Sequence, residues 1–143
     1  MSNQRTLLLS LRPRFAAAIL SGQKSTELRR RPVNAVPGTP IILYASSPVM
    51  AVLGTARLAG VHSSDPATAW HQHHSTLGLT RQEFDTYLDG ATAAYLLRLC
   101  HVQELNEPLP LHHLREQAPF HPPQSFRYIA TSDPSTLQEL TAP

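Results

Sequence analysis

The segment "RFAAAILSGQKSTELRRRP" (residues 14–32) changes character at its glycine. Ahead of Gly22, alanines and Leu20 follow Pro13, a residue suited to a helix start, and this predicts a helix over 13–21 closed by Gly22. Beyond it "KSTELRRR" (24–31) alternates and is rich in Thr and long side chains, which predicts a strand. In such a strand Glu27, Arg29 and Arg31 share one face, while Thr26, Leu28 and Arg30 take the other. Lys24 is the one lysine of the chain, beside eleven arginines. An ammonium is compact and its pKa can be tuned, whereas a guanidinium stays charged. Neighbouring arginines and burial both lower that pKa, and Glu27 opposes them. A partly neutral Lys24 is a candidate base; a charged one is a donor to phosphate or an oxyanion.

The rest of the chain supplies short elements around this junction. "TLLLSL" (6–11), "IILYAS" (41–46) and "VMAVLGTARLAGV" (49–61) read as strands. "ATAAYLLRLCHVQEL" (91–105) alternates as a buried strand although its Ala and Leu favour helix, and "FRYIA" (126–130) reads as the last strand. Asp65 and Pro66 open a helix through "ATAWHQHH" (67–74), and Thr80 with Glu83 forms a capping-box signature ahead of "RQEFDTYL" (81–88). A short helix is expected in "PLPLHHLRE" (108–116), and a loosely attached one in the tail from Asp133. About six strands broken by short helices suit a small curled sheet or barrel rather than repeated βαβ units.

Composition sets bounds on function. At 143 residues with 41% apolar and 15% charged residues, the chain is expected to form one domain over 1–143, with a core at about 6–130 and a tail at 131–143. Arg12, Pro13 and Arg14 interrupt the apolar N-terminal run, so no export signal is expected, and no stretch approaches the roughly 20 apolar residues of a membrane span. The single Cys100 fits a reducing cytoplasm. Residues 1–57 hold eight bases against Glu27 alone, whereas residues 58–143 hold four bases and nine acids. A basic half suits a phosphate-bearing partner; solvated arginines balanced by the acidic half are the alternative.

Gly22, Lys24, Glu27 and Arg29 fit G-x-K-x-x-E-x-R at a helix-to-strand junction, and this resembles the ASCH domain of the PUA-like superfamily. "LLLSLRPRFAAAILSGQKSTELRRRPV", "PGTPIILYASSPVMAVLG", "LTRQEFDTYLDG" with "AAYLLRL", and "PPQSFRYI" come in the order familiar from one bacterial branch of that family. The resemblance implies an α+β fold, a small and mainly antiparallel β-barrel with peripheral short helices and a cleft lined by the motif. It also implies RNA or nucleotide binding and, in some members, hydrolysis. Relatives that remove acyl groups from the exocyclic nitrogen of cytidine rely on a lysine, a threonine and a glutamate. Here Lys24 matches the lysine, Glu27 stands at the threonine position beside Ser25 and Thr26, and "WHQHHSTLGLT" offers no secure glutamate.

Further candidates flank the motif. Tyr44, Ser46 and Ser47 end a strand, where an aromatic ring and hydroxyls are expected to stack on and hydrogen-bond a base; a core tyrosine before a Ser-Pro turn is the alternative. Gln124 and Ser125 are polar groups on a Pro-rich loop, given a ligand role by the resemblance. His71 and His74, with His73 between them, invite a metal, but no carboxylate, HExxH or cysteine pair accompanies them, so no metal and no cofactor is expected. Cys100 and Trp70 read as packing residues.

Three functions fit. An RNA- or nucleotide-binding domain would use Arg12, Arg14, Arg29, Arg30 and Arg31 for phosphates and the Lys24–Glu27 cleft for a base or sugar. A metal-independent hydrolase, acting on RNA or on an N4-acylated cytidine, would use Lys24 and Glu27 as an acid–base pair, with Thr26 available. A protein-interaction or regulatory module would leave the cleft without chemistry.

Overall fold

A computed structural model describes residues 5–141. Six strands form one curled, half-barrel sheet with short helices around it: β1 (Leu7–Leu11), β2 (Thr26–Arg29), β3 (Pro40–Ala45), β4 (Ala51–Ser64), β5 (Ala94–Pro110) and β6 (Phe126–Tyr128). Their order across the sheet is β2-β5-β4-β3-β1-β6. Among the described residues only β1 and β3 pair in parallel; the other four pairings are antiparallel, in keeping with a mainly antiparallel sheet. The helices are α1 (Pro13–Ser21), α2 (Pro66–His73), α3 (Arg81–Tyr87), α4 (Leu111–Gln117) and α5 (Ser135–Leu140), with a 3-10 turn at His74–Thr76.

The sheet bends because its long β4–β5 pairing is irregular. Register shifts interrupt the β4–β5 ladder at three places, and each extra residue adds local twist. One falls opposite His101, which takes a positive φ of 50°. At Gly54 the two backbones approach so closely that a Cβ would lie 2.5 Å from the Gln103 carbonyl oxygen.

Alternation along β1 serves two cores. Leu7, Leu9 and Leu11 pack with Ile41, Leu43 and the α1 residues Ala16 and Ile19. Leu8 faces the other way, onto Ile42, Leu111, Leu114 and Phe120. A third cluster joins Leu28 and Leu96 to Leu77, Phe84 and Leu88, fixing α2 and α3 over the end of β2. No helix among the described residues is long and apolar enough to cross a membrane.

Two sequence expectations change. The motif strand is only Thr26–Arg29, not 24–31. The Lys24 amide donates to Ala18 O in α1 and the Ser25 amide to Thr76 O, so these two donors are committed outside the sheet, and Ser25 keeps only its carbonyl on β5, accepting from Leu99 N. Arg30 and Arg31 leave it before Pro32, where the ring disfavours continued regular structure. The tail helix is not loosely attached: Leu137 is fully buried in the second cluster, and Asp133 pairs with Arg127 at 2.9 Å.

Candidate functional site

A cavity of about 720 Å³ opens between the start of α1, the end of β2, α3 and the loop before β6. Its floor is the motif. Gly22, with φ of 87°, turns the chain out of α1 and delivers Lys24 toward the interior. Lys24, Glu27 and Arg29 are only 2%, 6% and 7% exposed. Lys24 Nζ lies 3.2 Å from Glu27 Oε1, and Arg29 Nη2 lies 2.7 Å from Glu27 Oε2. Both carboxylate oxygens are therefore held by cations. Lys24 Nζ also donates to the Leu77 carbonyl and sits 5.1 Å from the Phe15 ring centre. Gly78 covers the lysine stem, and a Cβ there would meet Lys24 Cβ at 3.2 Å. Burial pushes the ammonium below the ordinary lysine range; Glu27 opposes this, and the Arg29 and Arg14 charges reinforce it.

Arg29 extends the chain of contacts across the cavity. Its Nη1 donates to Ser125 Oγ at 2.7 Å and its Nη2 to Ser10 O at 3.2 Å. Ser10 belongs to β1 and Ser125 immediately precedes β6, so one guanidinium on an edge strand reaches the opposite side of the curled sheet. Its Nε is buried without a hydrogen-bond acceptor among the described residues. Two cations and one carboxylate leave the floor with a net positive charge.

The sequence candidates separate clearly in space. Lys24, Glu27, Arg29, Ser46, Gln124 and Ser125 all line the cavity. Arg12 and Arg30 line it too, exposed and with no carboxylate partner among the described residues. Arg14 does not: its guanidinium grips Glu83 through both terminal nitrogens, a clamp between α1 and α3 that consumes the charge expected for phosphate. Arg31 lies outside, in a neighbouring pocket. Thr26 is turned away, its hydroxyl 2.9 Å from that of Thr76, because strand parity sends it to the face opposite Glu27. Tyr44 is also placed elsewhere. It is 3% exposed in the second core cluster and edge-on to Phe120, and burial raises its phenol pKa against the pull of Arg115.

The histidines disperse. His74 Nδ1 contacts Trp70 O, His73 tilts against His62, and His71 is exposed. Among the described residues no group of three or more His, Cys, Asp or Glu is arranged to hold a metal ion.

Sequence reading missed Phe15, Glu83, Thr86 and Tyr87, which complete the cavity wall. The last three carried a usable signal. Glu83, Thr86 and Tyr87 stand at i, i+3 and i+4, one helix face, while Phe84 and Leu88 form the buried face.

This curled sheet with its short peripheral helices is the fold of the ASCH domain. The chain belongs to that family, whose sequence model matches residues 9–116. It is 33% identical over 141 residues to an ASCH domain-containing ribonuclease of Zymomonas mobilis, spanning 98% of this chain and 95% of that protein. The crystal structure of ASCH from Zymomonas mobilis superposes with a TM-score of 0.86 at 33% identity over 96% of each chain. A serine-to-alanine variant of that protein gives 0.87 at 31% identity, over 99% of this chain and 100% of the other. The N-terminal domain of Staphylothermus marinus McrB matches at 0.57 and 11% identity, over 94% and 92%, a likeness of fold alone.

Proposed function

We propose that this chain binds single-stranded RNA in the cavity and cleaves it with its own side chains. The observation carrying the reading is the cationic floor: a buried Lys24–Glu27–Arg29 chain ending on Ser125, open to a cleft whose rim holds Arg12 and Arg30. The ribonuclease named among the relatives supports RNA as the substrate class.

RNA carries its own nucleophile. Attack of a 2′-oxygen on the adjacent phosphorus releases the 2′-proton, breaks the P–O5′ bond and leaves a cyclic phosphate, while the departing oxygen takes up a proton. What a protein can add is alignment and stabilisation of charge that builds on the phosphate oxygens. Arg29 is suited to that stabilisation. Ser125 Oγ accepts from Arg29, so its own hydrogen is directed elsewhere and can reach a phosphate oxygen. Lys24 and Glu27 become positioning residues: their polar atoms are engaged with each other and with Leu77 and Arg29, and they hold the guanidinium in place. Tyr87 at the wall is 40% exposed and offers a ring for a base to stack on.

The test is to incubate the purified protein, with chelator present, with single-stranded RNA, DNA of the same sequence and N4-acetylcytidine. The expected result is cleaved RNA with cyclic or 3′-phosphate ends, bound but intact DNA, and untouched acetylcytidine. Ser125→Ala should reduce turnover about tenfold or more while RNA affinity holds. Tight RNA binding without cleavage would move the assignment to a binding module, and deacylation alone would overturn the RNA reading.

A further inference from the structure

Beside the cavity lies a second pocket of about 510 Å³ formed by Arg30, Arg31, Tyr95 and the turn 90–93. No carboxylate lines it. Neither arginine has a hydrogen-bond acceptor or ion-pair partner among the described residues, and both are exposed. Tyr95 is half-buried on β5, directly across from Arg29 in the β2–β5 register. Gly90, with φ of 78°, bends the chain after α3 to form the far wall. The decisive feature is Arg30, which lines both pockets. Past the end of β2 its side chain is released from strand alternation and stands on the partition.

Taking RNA as the ligand of the cavity, we propose that the second pocket is a subsite for the flanking nucleotides of the same strand, with Arg30 and Arg31 on successive phosphates and Tyr95 against a base. The physical case is continuity. A strand leaving the cavity over Arg30 meets a further unpaired guanidinium and an aromatic ring, the combination that holds single-stranded nucleic acid without reading its sequence. A free nucleotide would fill only one of the two pockets. The substrate class is therefore a polynucleotide, and recognition depends on length.

Arg31 touches only the second pocket and so separates the two readings. Binding of a dinucleotide and of a ten-nucleotide RNA of the same composition is measured across a salt series for the wild type, Arg31→Gln and Arg31→Lys. Arg31→Gln should weaken the longer RNA about threefold or more and reduce the slope of log K against log salt by about 0.7, while dinucleotide affinity is unchanged; Arg31→Lys should restore most of the slope. Unaltered affinity and slope for the longer RNA in Arg31→Gln would overturn the subsite and leave the cavity assignment standing. Inorganic phosphate that binds the wild type and is lost in Arg31→Gln, with long RNA unaffected, would mark an isolated anion site and also overturn it. If the wild type binds neither RNA, the subsite falls together with the reading it rests on.

Discussion

Lys24 is kept as a lysine by its surroundings. Its ammonium has to fit between the Leu77 carbonyl and Glu27 Oε1, under the bare Cα of Gly78. A guanidinium is wider and planar, so arginine does not occupy this space without moving the 3-10 turn. Lys24→Met retains the stem and leaves Glu27 Oε1 unpaired. It should lower stability by about 3 kcal/mol, read from the urea midpoint. The pH dependence has a definite sign. Folding lowers the Lys24 pKa, so above the lowered value the unfolded chain holds a proton that the folded chain has lost. Wild-type stability should thus gain on that of Lys24→Met as pH rises toward about 10.4, the ordinary lysine value. An identical alkaline profile for the two proteins would contradict this. A lone amine among guanidinia singled out Lys24 by composition, and the G-x-K-x-x-E-x-R spacing added Glu27 and Arg29. Their role was less legible. Whether a carboxylate is a free base or a tether depends on which atoms surround it, and Glu27 proved to have both oxygens engaged. Tyr44 was misplaced for a related reason, since a strand-end aromatic reads the same whether its ring faces a cleft or Phe120.

Elements whose ends are marked by local chemistry were read most accurately. Thr80 and Glu83 do form a capping box on α3, Asp65 does cap α2, and Gly22 does close α1 in the left-handed conformation. Glu83 has a second task in its clamp on Arg14. The Arg14 hydrogen bond and the Thr80 amide hold its carboxyl down to about 2 from an ordinary 4.5. A depressed acid contributes stability that is complete above its ordinary value and is lost as pH falls through the depressed one. Acidification from 4.5 toward 2 should therefore uncouple α3 from α1, seen as helix loss by circular dichroism, and Glu83→Gln should flatten that transition. The bulges of β4 and β5 left no comparable trace, because they arise from pairing between distant strands. Gly54 and Gly60, each at a register shift of β4, are their local signs. Gly54→Ala should cost about 2 kcal/mol or more, since a Cβ there would clash first with rigid backbone at Gln103 and next with Leu20 Cδ2 at 2.8 Å. Chemical denaturation checks this, and an unchanged midpoint would mean that β4 and β5 can part there.

At the scale of the molecule, the tail is structural. The sequence hid this because α5 is short and its anchoring partners, Leu8, Ile42 and Phe120, are far away along the chain. Leu137→Ala should cost about 3 kcal/mol, the expectation for a fully buried leucine, and thermal unfolding should remain a single transition. A cost below about 0.5 kcal/mol would show that α5 detaches freely.

Arg29 gives the curled sheet a property that an evenly hydrogen-bonded barrel lacks. Among the described residues the hydrogen-bonded tie between β2 and the β1–β6 edge is the Arg29 side chain, which also lines the cavity. Guest and host consequently draw on one set of donors. An anion that adds acceptors to the guanidinium while sparing Ser10 and Ser125 tightens the seam; one that takes those donors for itself loosens it. Occupancy and cohesion are thereby a single linked equilibrium. The melting temperature of the protein becomes a gauge of what sits in its cleft, and the sign of the shift tells whether the visitor reinforces the tie or replaces it.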